Sequence, residues 1–183
     1  MRNKYSLGLS ISLILFLSVG NTVKAQSKKV NLPTFSITIP DGMKNHTNDS
    51  DVLVKLSFEN SLHISIDDNM EKMLALSKKK PNGSGGFDME KFAFDLKFKG
   101  IKSKYQGYDP SEKKTGTLKK IKYTAQMFTC KASNTQEAYL EYRVMEIGGR
   151  HYEFIITGKK DLKKKHQPLI NNFWKSISAS VIK

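Results

Sequence analysis

Few side chains in this sequence stand at spacings that support catalysis or metal binding. Cys130 is the one thiol among 183 residues, and four His accompany it. A nucleophile needs a base within reach and a group that orients the base. Cys130 falls late in an alternating run, with no neighbouring His or helix N-terminus to depress its pKa, so it reads as a buried structural residue. A lone Cys also leaves no intrachain disulfide and no multi-Cys metal site. Gly83-Ser84-Gly85 lacks both the Gly-x-Ser-x-Gly spacing and the feeding strand of a hydrolase elbow. The surrounding Pro81–Gly86 stretch lacks the Gly-Lys-Ser/Thr of a phosphate loop, and Asp88 would set a negative charge where the phosphate belongs; it reads as a linker.

Metal binding has two starting points. His63 and Asp67 share a strand face with Ser65, and His151 and Glu153 share another opposite Glu146. A zinc site wants three or four converging donors, and each pair has a simpler account. Asp67 adjoins a helix start, and Glu146 with His151 suits a cross-strand ion pair. His46 and His166, in polar or lysine-rich surroundings, read as surface residues. No catalytic residue, metal ligand or cofactor is expected. Lys102, Lys104, Tyr105 and Tyr108 remain as a candidate binding surface: aromatic and basic side chains in the loop Lys104 to Asp109 suit stacking on a glycan or receiving a peptide. The polar 81–87 linker is the other candidate surface.

The elements that would carry these residues follow from periodicity. Thr34 to Ile39 alternate, with Phe35, Ile37 and Ile39 on one face, and Pro40-Asp41-Gly42 stops them. Val52, Val54, Leu56 and Phe58 alternate, Glu59-Asn60-Ser61 supplies a turn, and Leu62, Ile64 and Ile66 alternate again. At Asp68 the period changes to helical, with Asp68 and Glu71 at capping-box spacing and Met70, Met73, Leu74 and Ser77 recurring until Pro81. Asp88 caps a second helix that presents Met89, Phe92, Ala93 and Leu96 on one face, with Phe94 and Phe98 displaced from it, and Gly100 closes it.

From Thr117 the period returns to two, with Ile121, Tyr123, Ala125 and Met127 on one face and Thr124, Gln126, Phe128 and Cys130 on the other. Ala138 to Ile147 and Arg150 to Thr157 flank Gly148-Gly149, which can supply the positive φ values of a two-residue turn. That turn sets Glu146 opposite His151, Val144 opposite Glu153, Tyr142 opposite Ile155, Met145 opposite Tyr152 and Arg143 opposite Phe154. Both faces carry apolar residues, so both need cover. Leu162, Leu169, Ile170, Phe173, Trp174 and Ile177 recur at helical spacing after Asp161, with Pro168 near the first turn. The order βββααβββα, with about six strands joined by short links, predicts an α+β fold: an antiparallel sheet packed with helices.

The N-terminus is addressed for export. Arg2 and Lys4 precede an apolar run from Leu7 to Val19, and Val23-Lys24-Ala25 supplies the small-residue pattern of a cleavage site before Gln26. The organisation expected is a signal peptide over 1–25, a basic linker over 26–33 and a single domain over 34–180. The formal net charge is +14, and the leader holds three positive charges and no negative ones, so cleavage leaves +11. An exported bacterial protein, periplasmic or secreted, rarely meets nucleic acid; the charge points to an acidic partner or to anionic lipid or polysaccharide, while the scatter of the lysines along the chain equally suits a plain solvated surface.

At this point the chain resembles a known fold family. Phe35-Ser36-Ile37-Thr38-Ile39-Pro40-Asp41-Gly42-Met43, the hairpin from Tyr139-Leu140-Glu141-Tyr142 through Tyr152-Glu153-Phe154-Ile155-Ile156-Thr157-Gly158, and the closing Phe173-Trp174-Lys175-Ser176-Ile177 look like the PsbP-like family, including its DcrB-type bacterial periplasmic members. The resemblance spans most of residues 33–180. It implies a non-enzymatic accessory or assembly role through contacts with another envelope or secreted protein, and it transfers no site residue.

Overall fold

Two-residue turns at positive φ set the register of the sheet. Gly148 and Gly149 adopt φ of 60° and 75° between β9 (Glu137–Ile147) and β10 (Arg150–Lys159). The pairs that follow, from Arg150 with Ile147 outward through His151 with Glu146 to Phe154 with Arg143 and Ile155 with Tyr142, are those the sequence predicts. The computed structural model describes residues 28–49, 52–70, 89–104, 106–131 and 136–179. The leader, residues 71–88 and Tyr105 lie outside the described residues, and with them most of the first expected helix and its linker.

The hairpin is the middle of an eight-stranded antiparallel sheet ordered β3-β4-β5-β10-β9-β8-β6, with β7 pairing β8 beside β6. Its other members are β3 (Lys44–Asn45), β4 (Val54–Phe58), β5 (Leu62–Asp67), β6 (Gln106–Pro110), β7 (Lys114–Leu118) and β8 (Ile121–Lys131). A three-stranded sheet, β1 (Lys29–Asn31), β2 (Phe35–Thr38) and β11 (Ser178–Ala179), is the second. Two α-helices are described, α1 (Met89–Lys104) and α2 (Lys163–Ser176). The fold is therefore α+β as expected, but with eleven strands among the described residues rather than about six. The additional strands are short: β1 occupies the expected 26–33 linker, β3, β7 and β11 are held by ladder bonds to a neighbour rather than by a buried face of their own, and β6 pairs with β8.

Each face of the large sheet has its own cover. On the first face Leu56, Ile64, Ile66, Met145, Tyr152, Phe154 and Ile156 pack with Phe35 and Ile37 of the small sheet and with Ile170, Phe173 and Trp174 of α2. On the second face Phe128, Leu140, Tyr142 and Val144 pack with Phe94 of α1 and with Met70. Helix α1 is thus turned relative to expectation. Phe94 is buried and Phe98 half-buried, stacked edge-on to Phe128 and Tyr142, whereas Phe92 and Leu96 face outward. The helix also passes through Gly100 to Lys104, with the Ser103 hydroxyl donating to the Gly100 carbonyl at 2.8 Å. A helical glycine costs only about 1 kcal/mol, which this packing outweighs.

His166 is the clearest reversal, being fully buried rather than at the surface. Pro168 lies inside α2, not in a first turn, so the helix begins earlier than its apolar stripe and carries His166 inward. Its Nε2 lies 3.0 Å from Ser61 Oγ and its Nδ1 lies 3.1 Å from the Tyr139 hydroxyl. The Ser61 hydroxyl donates to the Phe58 carbonyl at 3.3 Å, so Nε2–H donates to Ser61 and Nδ1 accepts from Tyr139. Burial and the neighbouring Glu141 push Tyr139 up to about 12, which keeps its proton in place. Burial, then Lys165, lowers the His166 pKa and keeps the ring neutral. Tyr139 lies across Gly158, its register partner; a Cβ there would stand 2.6 Å from the phenol oxygen.

Three consequences are measurable. Gly149→Val should lower stability by about 1–2 kcal/mol, because a β-branched residue resists positive φ, and a thermal melt checks it. Trp174→Ala should cost about 3–5 kcal/mol in denaturant unfolding, since the ring is buried against Phe154 and Phe173. The neutral His166 gives a pH signature. Its folded pKa lies below the ordinary 6.5, so its contribution is complete above about pH 6.5 and is lost as pH falls through the depressed value. His166→Gln, which keeps a donor toward Ser61, should flatten the decline of melting temperature with acid in that window.

Candidate functional site

The candidates read from the sequence do not converge. Lys102 is exposed near the end of α1, Lys104 is that helix's last residue, and Tyr108 belongs to β6. The expected loop from Lys104 to Asp109 is therefore a helix end followed by an edge strand, which pairs with β8 through a register shift between Gln106 and Asp109. Tyr105 lies outside the described residues, as does the 81–87 linker.

The possible metal pairs are used structurally. Asp67 accepts the backbone N–H of Asp68 at 2.7 Å and of Asn69 at 3.1 Å, capping the chain as it turns helical at Asn69, while His63 stays exposed. Desolvation, then Lys55 and His46, lowers the His63 pKa. Glu153 accepts the Tyr142 hydroxyl, whose pKa is raised by burial first and by Glu153 second. Cys130 is buried, and desolvation raises its thiol pKa, away from the thiolate. Among the described residues no three His, Cys, Asp or Glu side chains converge on a point that would hold a metal ion.

A different set of residues does form a site. On the first face, Lys114, Ala125, Arg143 and Phe154 stand in one row across β7, β8, β9 and β10. The next row sets Met127 opposite Glu141. Above Ala125, where the row is one methyl high between two cationic side chains, a cleft of about 280 Å³ opens. Ser111, Glu112 and Lys114 wall it on the sheet edge, and Tyr123, Met127, Glu141 and Arg143 line the rest. Ser111 is pinned there: its N–H donates to the Met127 carbonyl at 2.7 Å, and its carbonyl accepts from Gln126 Nε2 at 2.6 Å.

Arg143 organises the inner wall. Its guanidinium carbon lies 3.8 Å from the Trp174 ring centroid and 4.2 Å from that of Tyr123, and Nη2 is 2.5 Å from Glu141 Oε1. The side chain is 13% exposed, and its Nε is buried without an acceptor. A planar cation between two aromatic faces is held in place, so its remaining positive potential is presented in one fixed direction. Lys114 stands two strands away, about 10 Å at the usual spacing, and the carboxylates of Glu112 and Glu141 line the cleft with the two cations. Lys163, which does not line the cleft, reaches Met127, its Nζ lying 2.7 Å from Met127 Sδ.

None of Lys114, Ala125, Arg143 or Tyr123 was singled out by sequence reasoning as a site residue. One signal was available: the chain has only three Arg, and the two beyond the leader, Arg143 and Arg150, flank the central turn on the inward face. Both make ion pairs with carboxylates that are themselves largely buried, Glu141 and Asp68.

No protein-family model matches the chain, and no curated protein matches it in sequence. Its backbone is similar to the solution structure of cyanobacterial PsbP from Synechocystis sp. PCC 6803, with a TM-score of 0.53 and 11% identity over 90% of this chain and 99% of that one. It is also similar to LpqN from Mycobacterium tuberculosis, described as involved in cell envelope biogenesis, with a TM-score of 0.52 and 11% identity over 86% of this chain and 93% of that one. At this identity the likeness concerns the fold, which agrees in extent with the arrangement of sheet and helices above. The chain has the PsbP-like fold.

Proposed function

We propose that the protein is an exported, non-enzymatic accessory protein that binds another envelope or secreted protein through the Lys114–Arg143 cleft. The observation that carries this reading is the cleft itself, a small concave site whose charged wall is immobilised by Trp174 and Tyr123 before any ligand arrives. Its lining offers an anion seat and an apolar floor but no nucleophile set beside a base. The two serine–histidine contacts described lie elsewhere. Ser61 and His166 are closed to solvent, and His46 meets Ser57 at 2.8 Å without a carboxylate among its described bonds to orient it. Export is supported by the charged start, apolar run and Val-x-Ala ending of residues 1–25. Among the described residues no helix is long and apolar enough to cross a membrane. The involvement of LpqN in cell envelope biogenesis and the resemblance to DcrB-type periplasmic proteins lend weight to the same setting.

One observation favours a second reading, binding to anionic lipid or polysaccharide. Phe92 and Leu96, 36% and 49% exposed and one turn apart on α1, lie among the exposed Lys91, Lys99 and Lys102. An apolar pair with three lysines and one acid, Asp95, around it suits the boundary of an acidic membrane.

One experiment separates the two. The full chain, with benzoylphenylalanine in place of Glu112 at the cleft rim, is expressed with its own leader, irradiated and recovered. The expected result is a mature N-terminus at Gln26 and a discrete protein adduct that Ala125→Leu, which fills the cleft, removes. Retention of Met1 to Ala25 contradicts export. An adduct indifferent to Ala125→Leu, together with sedimentation on phosphatidylglycerol vesicles that Leu96→Ser abolishes, favours the second reading.

A further inference from the structure

The cleft adjoins a sheet edge whose backbone is open. In the β7–β8 hairpin Leu118 and Ile121 close the two-residue turn, so Leu118–Ile121, Gly116–Tyr123 and Lys114–Ala125 are the pairs that exchange ladder bonds. The N–H and C=O of Thr115 and Thr117 therefore point away from β8. Among the described residues no strand takes them, because β7 pairs with β8 alone and β6 occupies the other half of β8. Both threonines are exposed.

The charge around this edge has one sign. Lys113 precedes β7 and Lys114 opens it, Lys119 and Lys120 form its turn and Lys122 follows, with Glu112 the one acid in that stretch. Two of these lysines are engaged: Lys113 lies 4.6 Å from the Phe94 ring centroid, and Lys119 Nζ donates to the carbonyls of Lys175 and Ile177. Lys114, Lys120 and Lys122 remain on the exposed surface. Lys114 projects to the first face, beside the cleft, and Lys122 to the second. Edge lysines discourage a second copy of the same edge, since two such rows repel. The same row attracts a strand of opposite charge.

Building on the cleft reading above, we infer that the partner supplies an extended acidic segment, which adds as a strand to the free edge of β7 and places one carboxylate at the Lys114 wall of the cleft. The backbone bonds at Thr115 and Thr117 give the segment its direction and register. Alternation along the added strand then sends every second side chain to the first face, beside Lys114, and the lysines speed encounter with acidic chains over basic ones.

The test uses the mature chain and a short fluorescent peptide of alternating glutamate and valine, with a lysine–valine peptide as control. Anisotropy should show saturable binding of the acidic peptide alone, and the peptide should slow hydrogen exchange at the Thr115 and Thr117 amides. Thr117→Pro removes an outward donor without removing a ladder bond, so it should weaken binding about tenfold while the melting temperature holds. Ala125→Leu should weaken binding by a similar factor. Loss with Ala125→Leu but not with Thr117→Pro, and no exchange protection, overturns strand addition and leaves the cleft reading standing. Loss with Thr117→Pro alone supports strand addition and removes the cleft as the seat of the carboxylate. Binding unaffected by either variant and abolished only by salt is a diffuse lysine effect and overturns both; should Thr117→Pro fail to fold, exchange protection in the native chain decides.

Discussion

The guanidinium of Arg143 joins parts of the chain that are otherwise far apart in sequence. It sits on β9, stacks on Tyr123 from β8 and on Trp174 from α2, and pairs with Glu141 two residues back on its own strand. Through Trp174 the contact continues to Phe154 and Phe173, which bind the helix to the middle of the sheet. A charge at this depth is tolerated because aromatic faces and a carboxylate replace water around it. The same enclosure gives the cleft its rigid wall, so the contact that docks α2 also shapes the candidate site.

The sheet is asymmetrically covered, and that asymmetry decides where a partner can bind. Helix α2 and the small sheet cover the first face over β4, β5, β10 and β9, and α1 covers the second over β9 and part of β8. Strand β7 lies beyond both covers and is exposed along most of its length. Its turn also accepts a strain that most turns avoid, with Lys119 and Lys120 at φ of 48° and 70°. Lys119 offsets part of that cost by donating to the carbonyls at the C-terminal end of α2, tying the outlying hairpin back to the core.

Sequence patterning carried the parts of the fold whose residues alternate between two environments. The β9–β10 register was legible to the residue because Gly148-Gly149 suits a two-residue turn and nearly every apolar position then finds a buried place. Helix α1 was legible as a helix but not in its orientation: Phe92, Phe94, Leu96 and Phe98 surround most of its circumference, and only the position of Tyr142 and Phe128 selects which pair is buried. His166 is not legible as buried because local polarity, three lysines before it, says nothing of Ser61 and Tyr139, which reach it from the β4–β5 turn and from β9. The cleft was illegible for the same reason. Lys114, Ala125 and Arg143 lie 11 and 18 residues apart in sequence, and only the register of two ladders sets them in one row.

The composition offers a way to separate general charge from specific recognition in this chain. Most of its cations are lysines on solvated surface, where each contributes a screened attraction to anything acidic. The arginines are different in kind. Arg143 has surrendered most of its hydration to Tyr123, Trp174 and Glu141 before a ligand arrives, so an incoming carboxylate need not displace a full water shell from it. Lysines at β7 can gather acidic segments from a distance, but they hold no fixed geometry of their own. Selection among those segments therefore falls to the row of Lys114, Ala125 and Arg143, where a single methyl sets the depth of the cleft and the aromatic clamp sets the position of the charge.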